Sequence, residues 1–95
     1  MRDYLVIGCA PTEEDCVCVG EPRYREKALD ECARFILLLR EKFGPEPEGA
    51  ELAIKSFDHD FGVYFEVVCW FETDNEAARE YAHRCDDHAP ATWEG

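Results

Sequence analysis

The sequence predicts a single α+β domain over residues 1–95, in which a three-stranded sheet carries two helices on one face. Three observations predict this fold class. A helical periodicity of three and four residues occupies the middle of the chain, alternating apolar runs lie on both sides of it, and a helix-capping sequence follows the last run. The predicted element order is therefore β-α-β-β-α.

The first strand and the main helix have boundaries that the sequence marks clearly. Arg2 to Cys9 is rich in Tyr, Val and Ile, which predicts a strand. Proline suits the first turn of a helix, and Gly44 followed by Pro45 ends one, so the helix is predicted from Pro22 to Phe43. Its predicted inner stripe consists of Leu29, Cys32, Phe35, Ile36, Leu39 and Phe43.

Two further strands and a short helix are predicted in the second half of the chain. The strands are Glu51 to Phe57 and Val63 to Phe71, and Asp58 to Gly62 supplies the turn chemistry of a hairpin connection between them. Thr73 to Glu76 has the spacing of a capping box, so the last helix is expected to start there. The inner stripe predicted for that helix is Ala77, Ala78, Tyr81, Ala82 and Cys85.

The order of the elements restricts the sheet topology. A right-handed crossover through the long helix leaves the first two strands parallel. The third strand is the longest and most apolar, so it is expected between them and antiparallel to both. This spatial order, 1-3-2, resembles a truncated ferredoxin-like fold. The resemblance is one of topology, and it implies no activity.

The third strand is apolar on both of its sides. Val63, Phe65, Val67, Cys69 and Phe71 are expected to meet the helices. The opposite side needs another cover, and three are conceivable: self-association, docking of another protein, or the chain's own loop and tail. The candidate interface on that side comprises Phe57, Tyr64, Glu66, Val68 and Trp70.

The charge of the chain limits its partners. Twenty-two acids against ten bases give a formal net charge of -12, which repels nucleic acid and anionic lipid and attracts basic surfaces. Aromatic residues on an open sheet suit the stacking of single-stranded bases, but no basic stripe is present to neutralise phosphates. We therefore expect no direct binding of nucleic acid and no membrane contact.

The N-terminal sequence and the cysteines indicate a cytoplasmic protein. Asp3 interrupts the apolar start of the chain, and no apolar run is long enough to span a bilayer. Without an export signal, the six cysteines are expected to be reduced thiols. Cys32 and Cys69 also fall on predicted apolar faces, where a reduced cysteine packs as a small hydrophobe.

Metal binding and catalysis have few candidate residues. Cys16 and Cys18 lie in a predicted loop, and Cys85 and His88 are three residues apart. A structural zinc site usually shows paired ligands twice over, so packed thiols and solvated histidines are the simpler interpretation, and no metal or cofactor is expected. The sequence shows no set of nucleophile, base and orienting group, and acidic neighbours raise the pKa of a thiol. We therefore expect no enzyme.

The acidic residues form clusters in which several members are two positions apart. In extended chain such residues lie about 6–7 Å apart on one side, which is comparable to the spacing of phosphates along a nucleic-acid strand. A surface of this kind can present the charge pattern of DNA, although an acidic face that only confers solubility is the alternative. The candidate partner-binding acids are Glu13, Glu14, Asp15, Glu46, Glu48, Asp58, Asp60, Glu72, Asp74, Glu76, Asp86 and Asp87.

Size, charge and the lack of a catalytic set make the chain similar to the small acidic antirestriction and anti-CRISPR proteins of phages and mobile elements. The run IKSFDHDFGVYFEVVCWFE and the later APATWE also look like small proteins of such elements. The resemblance implies a non-enzymatic inhibitor that occupies the nucleic-acid site of a host defence complex, with a Lys- and Arg-lined groove as its partner. The alternative is a dimeric ferredoxin-like domain that binds a small ligand, or acts as an enzyme, through the aromatic sheet face.

Overall fold

The computed structural model describes residues 1–9, 22–59 and 62–88. The described chain contains three strands and two helices, and their order confirms the predicted β-α-β-β-α arrangement. They are β1 (Arg2–Cys9), α1 (Pro22–Phe43), β2 (Ala50–His59), β3 (Gly62–Glu72) and α2 (Glu76–Asp87).

β3 forms the centre of the sheet, with β1 and β2 paired antiparallel to it on either side. The predicted spatial order 1-3-2 is thus confirmed. β2 is longer than predicted, because its pairing with β3 continues to His59 opposite Gly62. The expected connection Asp58 to Gly62 therefore shrinks to positions 60 and 61, which lie outside the described residues.

Both helices pack against the same face of the sheet. Four of the five side chains predicted to face inward from β3 are buried with residues from α1 and α2, namely Phe65, Val67, Cys69 and Phe71. The side chain of the fifth, Val63, is outside the described set. Cys32 of α1 is also fully buried. The described core comprises Ile7, Ala28, Cys32, Phe35, Ile36, Leu39, Leu52, Phe65, Val67, Cys69, Phe71, Ala78, Tyr81, Ala82 and Cys85.

The inner stripe of α1 differs from the prediction at one position. Ala28 is buried, whereas Leu29 is 36% exposed, so the assignment of Leu29 to the core was wrong. The stripe that faces the sheet follows the four-, three- and four-residue steps from Ala28 through Cys32 and Phe35 to Leu39. Leu29 lies at the edge of this stripe, where its side chain stays partly in water.

The end of α1 confirms the role predicted for Gly44. Gly44 has a φ of 84°, in the left-handed region, and its N–H donates to the carbonyl of Arg40 at 2.8 Å. The six residues 44–49, which we call the connector, then lead into β2.

α2 begins where the sequence predicted, but its cap is a different residue. The Asn75 side-chain oxygen accepts the N–H of Ala78, so Asn75 is the N-cap and Glu76 is the first helical residue. Thr73, the expected cap, donates its hydroxyl and its N–H to the carbonyl of Met1 instead. The inner stripe is Ala78, Tyr81, Ala82 and Cys85, while Ala77 is exposed and was assigned wrongly.

The connector is tied to the turn before α2. The Asn75 amide nitrogen donates to the carbonyl of Glu48 at 2.9 Å, and the Glu72 N–H donates to the carbonyl of Gly49 at 2.9 Å. Gly49 has a φ of 91°, and a Cβ at that position would lie 2.6 Å from the Asn75 amide nitrogen. This approach therefore requires glycine, for its backbone conformation and for space.

Of the two described helices, neither combines the length and apolar character that a membrane-crossing segment needs.

A pair of glycine substitutions tests the connector. Gly44→Ala adds a methyl group with nothing within 4 Å, so only the left-handed backbone opposes it, at a cost of about 1 kcal/mol in the free energy of unfolding. Gly49→Ala also displaces the Asn75 amide and its hydrogen bonds, so we expect a loss of about 3 kcal/mol. Urea unfolding measures both, and equal losses would contradict the role assigned to Asn75.

Candidate functional site

The side of the sheet away from the helices, which we call the open sheet face, has a defined register. Tyr4 lies opposite Trp70, Val6 opposite Val68, and Lys55 opposite Glu66. These residues alternate with those of the core along each strand, so they point away from α1 and α2. The face therefore contains aromatic, aliphatic and charged side chains in one layer.

Four side chains of the open sheet face form a continuous row. The Tyr4 and Trp70 rings lie with their centroids 4.8 Å apart at 48°. The Arg2 guanidinium carbon is 5.0 Å from the centroid of the Trp70 ring, and the Lys55 Nζ is 5.6 Å from that of Tyr4. Each ring thus has a cation within the range of a cation–π interaction. We call this Arg2–Trp70–Tyr4–Lys55 series the cation–aromatic row.

The cation–aromatic row lies across the outer side of β3. Lys55 is on β2 and Tyr4 is on β1, so the Lys55 side chain has to cross β3 to bring its Nζ to the tyrosine ring. Val68 is on the same side of β3, between Glu66 and Trp70 along the strand, and it lies outside the helix-side core and yet has a relative exposure of 0%. The methylene stem of lysine is well suited to cover an aliphatic neighbour. Side chains of the face itself thus cover part of it, and the predicted cover by the chain's own loop and tail falls on residues outside the described ranges.

The predicted interface residues have different positions on this face. Glu66 and Trp70 are half-buried and Val68 is buried. Phe57 and Tyr64 lie opposite each other in the register, but their side chains are outside the described set.

Sequence analysis did not find that Arg2 and Lys55 stack on aromatic rings. Two-residue periodicity places both on this face, but it does not show how far a long side chain crosses its neighbours.

Two of the predicted acidic clusters meet at one end of the fold. Glu46 and Glu48 lie in the connector, and Asp74 lies in the turn before α2. The hydrogen bonds from Asn75 to Glu48 and from Glu72 to Gly49 hold these two segments together. We call the resulting group the acidic end, and it contains Glu46, Glu48, Glu51, Glu72, Asp74 and Glu76.

Arginine neutralises half of the acidic end. The Arg40 guanidinium donates to both Glu46 carboxylate oxygens, at 2.6 and 3.0 Å. The Arg2 guanidinium lies 3.2 Å from the Glu51 carboxylate and 4.0 Å from that of Glu72. The Arg2 pairs are exposed to solvent, so they add little to stability.

The remaining acids of this group are available to a partner. Glu48, Asp74 and Glu76 are exposed, and no cation among residues 1–9, 22–59 and 62–88 pairs with them. Glu46 differs from them, because its side chain is only 15% exposed. The hydrogen bond from Arg40 lowers the pKa of the Glu46 carboxyl, and the Arg40 charge acts in the same direction. Glu46 therefore stabilises the connector, and it is less accessible to a partner than the exposed acids of this group.

The other predicted acids that the structure describes lie away from this end. Asp86 and Asp87 are exposed at the last turn of α2, whose twelve residues span about 18 Å. Asp58 lies opposite Val63 in the sheet, near the hairpin, and its side chain is outside the described set. Glu13, Glu14, Asp15 and Asp60 lie outside the described residues.

A buried hydroxyl and two buried thiols lie beneath the connector. The Tyr81 hydroxyl donates to the carbonyl of Gly44 at 2.9 Å, which ties α2 to the end of α1. Burial raises the pKa of Tyr81, and it raises that of Cys69 to about 12 and that of Cys85 to about 11. Both thiols thus stay protonated at neutral pH and are weak nucleophiles.

The candidate metal ligands are not brought together among the described residues. Cys85 is buried in the core, whereas His88 is exposed after α2. Within the described ranges, no three His, Cys, Asp or Glu side chains are placed to hold a metal ion. Cys16 and Cys18 lie outside these ranges.

Substitution of Lys55 tests how Val68 is covered. Lys55→Met keeps most of the aliphatic stem, so we expect it to retain most of the free energy of unfolding. Lys55→Ser removes the stem and exposes Val68, which should cost about 1 kcal/mol or more. Urea unfolding compares the two variants. An equal loss in both would show that the charge over the Tyr4 ring, and not the stem, stabilises this face.

The Arg40–Glu46 pair should make stability depend on pH. The folded-state pKa of Glu46 is lowered, so its contribution is complete above the ordinary value of 4.5 and is lost as the pH falls through the folded-state pKa. Glu46→Gln should therefore reduce the slope of unfolding free energy against pH in this acidic range. Glu48→Gln, an exposed change in the same connector, is the control. If both variants keep the wild-type slope, the pair contributes nothing measurable.

Comparison of the chain with protein-family models, curated proteins and solved structures found no match, so its role has to be inferred from its own residues.

Proposed function

We propose that the chain is a non-enzymatic protein that binds the basic surface of another protein through its acidic end. The observation that carries the proposal is the convergence of the connector with the turn before α2. It places the exposed carboxylates Glu48, Asp74 and Glu76 on adjacent segments that hydrogen bonds hold in place. Backbone segments that are fixed before binding lose less conformational freedom when a partner engages their side chains.

The charge of the whole chain supports the same role. A net charge of -12 on 95 residues attracts a basic groove over distances of about 10 Å at moderate salt and accelerates encounter. A groove that normally holds nucleic acid has the Lys and Arg residues to respond to such a field. In this proposal the chain acts as a DNA mimic that occupies the nucleic-acid site of a host defence complex, in the manner of antirestriction or anti-CRISPR proteins.

The alternative, a dimeric domain that binds a ligand or catalyses a reaction on the open sheet face, has less support. Val68 already has no exposed surface, and each ring of the Tyr4–Trp70 pair already has a cation of the same chain near it. Part of the face is therefore covered without a partner, while Val6 on the same face is exposed. The described thiols Cys69 and Cys85 are buried and protonated, which also gives catalysis little support.

Two matched triple variants test the proposal. Glu48→Gln with Asp74→Asn and Glu76→Gln removes the unpaired charges of the acidic end. Glu80→Gln with Asp86→Asn and Asp87→Asn removes the same number of exposed charges elsewhere on α2. Each protein is immobilised and incubated with host lysate, washed across a salt series, and challenged with duplex DNA.

We expect the wild type and the α2 control to capture a nucleic-acid-binding protein that DNA and salt release. We expect the acidic-end variant to lose that capture by at least about tenfold, because several charge contacts disappear together. Equal capture by the two variants would show that total charge, and not this end, drives binding. Capture that salt and DNA leave unchanged would contradict mimicry.

A further inference from the structure

α1 has an exposed stripe that the core and the acidic end do not use. Leu37 is 61% exposed and Leu29 is 36% exposed, and Ala33 between them is also exposed. The exposed charges Glu26 and Arg40 lie at the two ends of the same stripe. Successive members are separated by three, four, four and three residues, so they lie along one side of the helix.

The spacing of this stripe is the same when read from either end. A second α1 placed antiparallel, with Ala33 on a two-fold axis, brings Leu29 of each copy against Leu37 of the other. Glu26 of each copy then meets Arg40 of the other. A two-fold interface requires this self-complementarity, because each contact occurs twice. We propose that the chain forms a homodimer through antiparallel pairing of its two α1 helices.

The charges along α1 are complementary in this arrangement. In residues 24–32, before Ala33, acids outnumber bases, with Glu26, Asp30 and Glu31 against Arg25 and Lys27. The second half, with Arg34, Arg40 and Lys42 against Glu41, has more bases than acids. Antiparallel pairing sets the acidic half of each helix against the basic half of the other. The two halves have net charges of opposite sign, so two copies of a strongly acidic chain meet here with little local repulsion.

Arg40 can take part without leaving its own partner. Its Nε and one terminal nitrogen donate to Glu46, but a guanidinium has five N–H donors, and the Arg40 side chain is 44% exposed. Glu46 also holds the guanidinium in one place, which lowers the entropy that a contact with Glu26 of the second copy would cost.

The geometry predicts a weak dimer. The stripe from Glu26 to Arg40 is about 21 Å long, and two helices in contact over this length bury less than the roughly 1,200 Å² of a stable specific interface. The small Ala33 side chain lets the helix axes approach closely. Association should therefore appear at high protein concentration, and the leucines should contribute most of its affinity.

Sedimentation equilibrium of the full chain, over a wide concentration range at moderate salt, measures the dimer. Leu37→Glu places a charge in the contact twice and should raise the dimer Kd about a hundredfold or more. Val6→Glu makes the same charge change on the open sheet face, where Val6 is also exposed, and should leave the Kd within about threefold of the wild type. Circular dichroism confirms that both variants fold.

A second pair of variants separates the helix contact from the net charge. Glu26→Lys and Glu80→Lys both reduce the net negative charge by two, which by itself favours association. Glu26→Lys also sets lysine against Arg40 of the other copy, so it should raise the Kd roughly three- to tenfold. Glu80→Lys on α2 should leave the Kd unchanged or lower it.

A wild-type chain that stays monomeric throughout the range would overturn the proposal. A dimer that Val6→Glu disrupts and Leu37→Glu does not would overturn it too, and would place the contact on the open sheet face. Dimer formation that both lysine variants strengthen equally would rule out the antiparallel register.

Discussion

The position of β3 is the constraint on which the rest of the structure depends. A central strand that is apolar on both sides has to be covered twice, and the chain covers it in two different ways. The helices bury Phe65, Val67, Cys69 and Phe71 on one side with an ordinary apolar core. On the other side Val68 is equally buried, and the Tyr4–Trp70 ring pair and the Lys55 side chain lie on the same face.

The connector determines which acidic residues lie together on the surface. α1 is followed by a left-handed glycine, Gly44, which begins the six-residue connector. The side chains of Tyr81 in α2 and Asn75 at its N-cap hold the connector, through the carbonyls of Gly44 and Glu48. Because of these ties, acids that are distant in sequence become neighbours. The carboxylates of the connector differ in their environment, because Glu46 is paired with Arg40 and mostly buried, whereas Glu48 is exposed.

The element order, the strand order and most inward residues could be predicted, because they follow from periodicity, which is a local property of the sequence. The errors occur where a tertiary contact chooses between similar local options. Thr73 has the spacing of an N-cap, but its hydroxyl donates to the carbonyl of Met1, and Asn75 caps the helix instead. The acidic residues were visible in the sequence, but their grouping was not, because it depends on how the connector meets the turn. The path of the Lys55 side chain across β3 could not be predicted either, because two-residue alternation shows which face of the sheet a residue is on but not which neighbours a long side chain contacts.

The two thiols beneath the connector have a consequence for how this fold can be observed. Cys69 and Cys85 are fully buried, and burial keeps both protonated at neutral pH. A thiol-directed reagent must therefore wait for the sheet and α2 to separate before it can react with either one. One of these thiols is on the central strand and the other on the last helix, so their rates of reaction measure how often the core opens at two positions. Their labelling rates report whether these two layers open together or one at a time.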